Sequence, residues 1–326
     1  MKRIVVTGAA GQVGTELVPA LRAAFGNTAV LATDIRRPHG GVLLDGPFET
    51  VDCMNGQAVA AAVLRHRADT IYHLAALLSA SAERSPQLAY QVNMGTLVNV
   101  LEVARDAGCA VFTPSSIGAF GPTTPRDPAP QDALQRPTTM YGVTKVAGEL
   151  LCDYYFARYD VDTRGLRYPG LISHVAPPGG GTTDYAVHIF HDALEHGHYT
   201  CFLRADTQLD MMYMPDAIRA SIEVMEADPA RLRHRNAFNV TAMQFTPAVL
   251  AAEIAKHSAG FRIEYDVDPV RQRIADSWPR RLDDSAAREE WGWQPQYDLA
   301  TMTADMLQQL REKAAALMGA ATEKRG

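Results

Sequence analysis

Through the first half of the chain, short runs of β-branched and other apolar residues alternate with longer stretches whose apolar positions recur at helical spacing. The short runs predict strands over residues 3–6, 29–33, 49–51, 70–74, 110–113 and 163–167. The longer stretches predict helices over 12–24, 57–67, 86–107 and 141–159, the last two long enough to offer a second face to a partner. Strands joined by helical crossovers lie parallel and the crossovers are right-handed, so the pattern predicts an α/β fold on a doubly wound parallel sheet.

After Tyr168 the texture changes. Pro169, Gly170, Pro177, Pro178 and the run Gly179, Gly180, Gly181 form a loop-rich passage where the alternation stops. The expected division is therefore a sheet domain over 1–170 and a smaller α/β lobe over 171–326, with some of its segments returning to the first domain. Helices are predicted at 184–196, 215–227, 247–258, 284–291 and 299–317, and strands at 237–240 and 262–265. The polar tail 322–326 is expected to fray.

Composition narrows the function without naming it. Of 326 residues 47% are hydrophobic and 21% charged, which excludes a disordered chain. A net charge of −6 argues against nucleic acid or an anionic membrane as partner, since either demands a basic face. Apolar runs fall short of the roughly 18 residues that span a bilayer, and residues 1–10 read as a strand entering a loop rather than as a signal peptide. Cys53, Cys109, Cys152 and Cys201 are scattered without a paired motif, as expected of reduced thiols in the cytoplasm. Small molecules are the expected partners.

Directly after the first strand stands Gly8-x-x-Gly11-x-x-Gly14, enclosing Gln12 and Val13 and opening into a helix. Glycines let the backbone turn sharply and bring free amides at a helix N-terminus against a pyrophosphate. Asp34, at the end of the second strand, is placed to accept from an adenosine ribose diol, and it would repel the extra phosphate of NADP, so NAD is the expected cofactor. Arg36 and Arg37 pull the other way, since an arginine there can pair with that phosphate. Asp52 either bonds the adenine amino group or caps its own loop.

Tyr141 and Lys145 lie four residues apart, one helical turn along one face. A nearby ammonium stabilises phenolate, so Tyr141 is a candidate acid/base for an alcohol or carbonyl, with Lys145 also able to hold a ribose. A surface pair is the alternative. Ser115 and Ser116 end the fifth strand at the sheet edge where ligands of open α/β folds bind. Ser116 is the candidate partner of the reacting oxygen and Ser115 of a neighbouring group, although either hydroxyl could simply close a strand-to-loop bond. His188, His191, His196 and His198 crowd one predicted helix and its end, but without an ordered carboxylate set no metal is expected.

The glycine loop, Asp34, the run His73-Leu74-Ala75-Ala76, Asn93, Ser116 and Tyr141-x-x-x-Lys145 follow in an order that resembles the extended short-chain dehydrogenases/reductases, the superfamily of UDP-galactose 4-epimerase. Trp291-Gly292-Trp293-Gln294-Pro295 extends the resemblance over nearly the whole chain. It implies a Rossmann-type domain binding NAD, with Leu74, Ala75 and Ala76 along the dinucleotide, Asn93 supporting the site, Tyr168 and Pro169 at the cofactor and Tyr141 as acid/base.

Sugar-nucleotide members of that superfamily carry an asparagine soon after the sixth strand, whereas this chain reads Arg167-Tyr168-Pro169-Gly170. The passage 177–186, the segment 114–122, Met211-Met212-Tyr213-Met214 and Ala275-Asp276-Ser277-Trp278-Pro279 resemble instead the short-chain type of L-threonine 3-dehydrogenase, although many relatives have threonine where Ser116 stands. The resemblance implies oxidation of L-threonine to 2-amino-3-oxobutyrate, with Ser79, Gly181, Thr182, Thr183 and Trp278 around the substrate. The residues are compatible with that: amides and hydroxyls at 181–183, before a predicted helix, suit a carboxylate, while Asp184 as that helix's cap and Trp278 as ordinary core are the alternative readings of those two residues. A homodimer through the two long helices is implied, and the β-keto acid product points to a CoA-dependent acetyltransferase as metabolic partner. A sugar-nucleotide epimerase or dehydratase, and an NAD-binding sensor without turnover, are the alternatives.

Overall fold

A computed structural model describes residues 1–177, 179 and 181–323, with side chains described through residue 316. Pro178 and Gly180 of the glycine-rich passage, and residues 324–326 of the tail, lie outside the described residues.

The first half forms β1 (Ile4–Thr7), α1 (Gly14–Phe25), β2 (Val30–Asp34), β3 (Phe48–Thr50), α2 (Gly56–His66), β4 (Thr70–His73), α3 (Ser79–Arg84), α4 (Pro86–Ala107), β5 (Ala110–Ser116), α5 (Met140–Tyr159) and β6 (Thr163–Tyr168). Then follow β7 (Gly170–Ile172), α6 (Tyr185–Glu195), β8 (His198–Cys201), β9 (Leu209–Tyr213), α7 (Met214–Glu226), β10 (Phe238–Asn239), β11 (Met243–Phe245), α8 (Pro247–Ala255), β12 (Arg262–Tyr265), α9 (Pro269–Ser277), α10 (Ser285–Trp291) and α11 (Leu299–Glu323).

Seven strands make one parallel sheet in the order β10-β6-β5-β4-β1-β2-β3. Along β1, Ile4 and Val6 pack with Leu17, Leu21 and Trp293 on one face, while Val5 packs with Val63, Leu101 and Cys152 on the other. A sheet covered on both faces needs apolar residues at successive positions, which is why its strands read as continuous apolar runs. The strand order reverses between β1 and β4, and at such a switch point the diverging loops open a crevice beyond the carboxyl ends of the strands.

β5 runs three residues beyond its predicted end, through Pro114. Its pairing with β4 stops at Phe112 whereas that with β6 continues to Ser116, so the proline's missing N–H falls where β4 asks for no bond. The extension carries Ser115 and Ser116 to the crevice. The strands β7, β8, β9 and β11 and the helices α3 and α9 were not legible from periodicity. β9 is buried along its length but contains Asp210, whose carboxylate accepts from Thr241 (2.5 Å), Gln244 (2.9 Å) and the Leu282 amide (2.7 Å). Partners that distant in sequence make the buried acid tolerable, though burial still pushes its carboxyl up to about 7.

Packing crosses residue 170 in both directions. β10 joins the edge of the central sheet, and Met212, Met214 and Phe238 share a core with β1 and α1. Conversely, Ile117, Phe120 and Ala129, from the connection after β5, pack with Tyr185, Tyr213 and Trp278 in the core of the smaller lobe.

Candidate active site

The crevice begins with the glycine loop. Gly8 has φ +67°, and a Cβ there would stand 2.6 Å from the Ala75 nitrogen; one on Gly14 would stand 2.5 Å from the Ala9 carbonyl oxygen. Gly8 thus lies directly on the β4 exit at Leu74–Ala75 and Gly14 on the loop's own Ala9 backbone, with no room for a Cβ at either. Helix α1 has no side-chain cap at its start, which leaves amide donors at its positive end. The side-chain amide nitrogen Nε2 of Gln12 is buried there without a hydrogen-bond partner among the described residues. A cradle too tight for a Cβ, uncapped amides and an orphaned donor together fit a dinucleotide pyrophosphate.

Asp34 sits beside this loop, where its carboxylate accepts from the Ala10 amide at 3.0 Å and the Arg36 amide at 3.3 Å. Those bonds brace the loop at the position where a ribose diol would reach the acid. Arg37 lies over the Phe48 ring, 5.6 Å from its centroid. Asp52 accepts from the Met54 amide at 2.9 Å, the loop-capping geometry. Asn93 accepts from the Leu77 amide (2.7 Å) and donates to the Leu77 carbonyl (3.1 Å) and the Thr144 hydroxyl (3.1 Å), so its amide clamps the β4 exit onto α5. Ala75 and Asn93 border a narrow side cavity behind Lys145 rather than the main one. Tyr168 turns its hydroxyl to Ser221 and the Ala217 carbonyl, and it reaches the main cavity alongside Pro169. His73 bridges Thr7 (2.8 Å) and Thr96 (3.3 Å); burial, and then the charge of Lys145, push it down to about 3, leaving a neutral imidazole in a structural tie.

Helix α5 brings in the reactive pair. Thr139 caps it by accepting from the Gly142 amide at 3.1 Å, so Tyr141 lies in its first turn. Lys145 Nζ donates to the Pro114 carbonyl at 2.7 Å and stands 5.4 Å from the centre of the Tyr141 ring. Ser116 accepts from the Gly118 amide at 3.1 Å, which leaves its own O–H for another acceptor, and Gly118 lies under the Tyr141 ring. Ser115 donates to the buried carboxylate of Glu149, making it part of the frame. Glu149 pairs with Arg167 at 2.8 Å. Sequence reasoning passed over this acid, although it stands one turn beyond Lys145 on the same helix.

Ser79, Gly181, Thr182, Thr183 and Trp278 line the same cavity as the glycine loop. Leu78, Ile117 and Leu171 also line it and were not singled out from the sequence. Asp184 accepts from the Gly181 amide at 2.7 Å, which folds the passage before α6 back on itself. His188 and His191 lie on α6 and His196 and His198 beyond it; among the described residues no three metal-ligating side chains are arranged to hold an ion. No helix among them is long and apolar enough to cross a membrane.

Glu16, in the first turn of α1, accepts from Ser173 at 2.5 Å and is pushed up to about 7 by burial, only partly offset by that bond. Such a carboxyl binds its proton more tightly in the folded chain than in the unfolded one. Its contribution to stability is full below the ordinary carboxylate range and lost as pH rises through about 7. Glu16→Gln removes the titration, so its melting temperature relative to the parent is expected to rise between pH about 5 and about 8. An unchanged difference across that range would show that burial does not govern this group.

A doubly wound sheet with a dinucleotide cradle beside a tyrosine–lysine pair defines an NAD-dependent oxidoreductase or related enzyme. The chain belongs to the NAD dependent epimerase/dehydratase family, whose model matches residues 4–241, and its cofactor is NAD. This is the extended short-chain dehydrogenase/reductase group that the motif order resembles. Over 314 residues the chain is 57% identical to an uncharacterized epimerase/dehydratase of Staphylococcus haemolyticus, covering 96% of this chain and 99% of that one. Its fold matches the L-threonine dehydrogenase of Clostridium difficile with a TM-score of 0.94 and 52% identity, covering 96% of this chain and 98% of the other. A monomeric L-threonine 3-dehydrogenase from a metagenome matches with a TM-score of 0.91 and 44% identity, covering 95% and 99%.

Proposed function

We propose that this chain is an NAD-dependent L-threonine 3-dehydrogenase, oxidising L-threonine to 2-amino-3-oxobutyrate. The observation that carries the reading is a single cavity in which the Tyr141–Lys145 pair and the glycine cradle face a small chamber of hydroxyls and one indole, Thr182, Thr183, Ser79 and Trp278. Similarity to L-threonine dehydrogenases along nearly the whole chain supports it.

In this reading Tyr141 acts as the base that takes the proton of the threonine hydroxyl. Lys145, held by the Pro114 carbonyl beside the Tyr141 ring, is placed to hold the nicotinamide ribose. Ser116 uses its remaining O–H to orient the reacting oxygen and stabilise charge developing on it. NAD, when bound, accepts the hydride from the β-carbon. The amides and hydroxyls of Gly181, Thr182 and Thr183 take the substrate carboxylate, Ser79 faces its amino-acid end and Trp278 forms the apolar wall.

The test is to mix the purified protein with NAD and L-threonine and follow NADH absorbance, with L-serine, L-allo-threonine and UDP-glucose in parallel. Rapid NADH formation from L-threonine is expected. A protein silent with every amino acid that converts a UDP-sugar and retains its NAD would be an epimerase or dehydratase instead. One that binds NAD and turns over no alcohol would be a sensor.

The assembly we propose is a homodimer through α4 and α5. On α5, Val143, Leu150 and Tyr154 are 41%, 63% and 53% exposed and recur along one stripe, and Val98 of α4 is 37% exposed. An apolar stripe of this kind suits a four-helix seam. Light scattering at micromolar concentration decides between this dimer and a monomer. The four free, buried thiols fit a cytoplasmic setting, and the CoA-dependent acetyltransferase follows from product chemistry alone.

A further inference from the structure

Trp278 directly follows the last residue of helix α9, is buried and lines the cavity. Its backbone carbonyl lies outside that helix's bonding and accepts from both Nε (3.3 Å) and Nη2 (3.1 Å) of Arg126. Arg126 stands in the connection between β5 and α5. The exchange is reciprocal, because the Arg126 carbonyl accepts from the amides of Arg280 (2.7 Å) and Arg281 (3.3 Å). Arg281 then pairs with Asp127 at 2.8 Å, Ala129 donates to the Arg281 carbonyl at 2.9 Å and Asp283 to the Ala129 carbonyl at 2.9 Å.

This clasp joins two particular things. The connection carrying Arg126 leaves the sheet after Ser116 and enters α5 at Met140, one residue before Tyr141, so it runs between the two residues that face the reacting alcohol in the proposed reaction. The segment it grips carries the apolar wall. The distance from that wall to the phenol sets how large a group at the reacting carbon is held in contact, and the only bonds to the Trp278 carbonyl among the described residues come from the Arg126 guanidinium.

The geometry points to Arg126 as a positioning residue that fixes the Trp278 wall against the Tyr141–Ser116 frame, and so as a determinant of selectivity for a β-methyl substrate over one without the methyl. The inference rests on the threonine reading for its substrate. A single methyl held in an apolar pocket discriminates by about 10–200-fold, and a loosened wall forfeits part of that.

In Arg126→Ala, kcat/KM for L-threonine is expected to fall about tenfold while that for L-serine changes little, with KM for NAD unchanged. Arg126→Lys, which keeps one donor for the carbonyl, should recover part of the ratio. A merely structural loss would lower both substrates together and leave their ratio intact, and that result would overturn the proposal. A chain that oxidised no amino acid would count against the threonine reaction and not against the clasp, which acrylamide quenching of tryptophan fluorescence reads without substrate. Quenching should increase in Arg126→Ala relative to the parent, and the increase should vanish when Trp278→Phe is added. Unchanged quenching in Arg126→Ala would overturn the clasp as well.

Discussion

Replacing Tyr141 with phenylalanine is expected to lower turnover of L-threonine by about a hundredfold to ten-thousandfold and to leave NAD binding and melting temperature near those of the parent. The expectation follows from what the substitution leaves in place. The Tyr141 ring packs over Gly118, whose added Cβ would lie 3.3 Å from it, and beside the Lys145 ammonium, 5.4 Å from the ring centre; phenylalanine keeps both contacts. Lys145 remains bonded to the Pro114 carbonyl. What disappears is the hydroxyl proposed to take the substrate proton, and positioned acid/base groups contribute on that scale. Single-turnover NADH formation, with NAD affinity measured separately, checks the prediction. Near-normal turnover would remove Tyr141 from the chemistry.

Gly8→Ala should act on the cofactor instead. The position has φ +67°, and the new methyl group would stand 2.6 Å from the Ala75 nitrogen, 2.8 Å from the Ala75 Cα and 2.9 Å from the Leu74 carbonyl carbon. Every one of these neighbours is backbone, so no side-chain rotation relieves the contact and the β4 exit must move away from the glycine loop. Left-handed strain of about 1–2 kcal/mol adds to an overpacking cost of about 1–3 kcal/mol. Denaturant titration should therefore give a loss of about 2–5 kcal/mol, and NAD affinity should collapse because the displaced segment is one wall of the cradle. Gly41→Ala is the control. Its φ is +92° but nothing lies within 4 Å of the added Cβ, so it carries strain without displacement and should leave NAD affinity alone. Equal effects of the two substitutions would mean that the close approach at Gly8 plays no part.

The parts of the site readable in advance are those whose geometry is local. Helical spacing puts Lys145 one turn from Tyr141 whatever surrounds them. A strand, a glycine turn and a helix start within a short stretch place amides at one point, and the Cβ distances at Gly8 and Gly14 account for glycine at both. At Asp52 the residue type allowed two readings, and the bond to the Met54 amide is the loop-capping one. Asn93, expected at the cofactor, clamps Leu77 to Thr144, partners that lie 16 and 51 residues away. Ser115, expected at the substrate, is held by Glu149, and the strand extension that presents both serines depends on β6 continuing as a partner after β4 has stopped.

The parallel α/β sheet, the glycine loop and the tyrosine–lysine pair were legible in the chain, because periodicity, glycine placement and one helical turn act over distances shorter than a single element. Where the buried ions and the Trp278 side of the cavity stand was settled by long-range folding. Asp210 in β9, Glu149 against Arg167 and the Arg126 grip on the Trp278 carbonyl each join groups 18 to 152 residues apart. A buried polar group is tolerable only where a partner meets it, and the chain does not disclose that meeting until the sheet has brought its distant segments together.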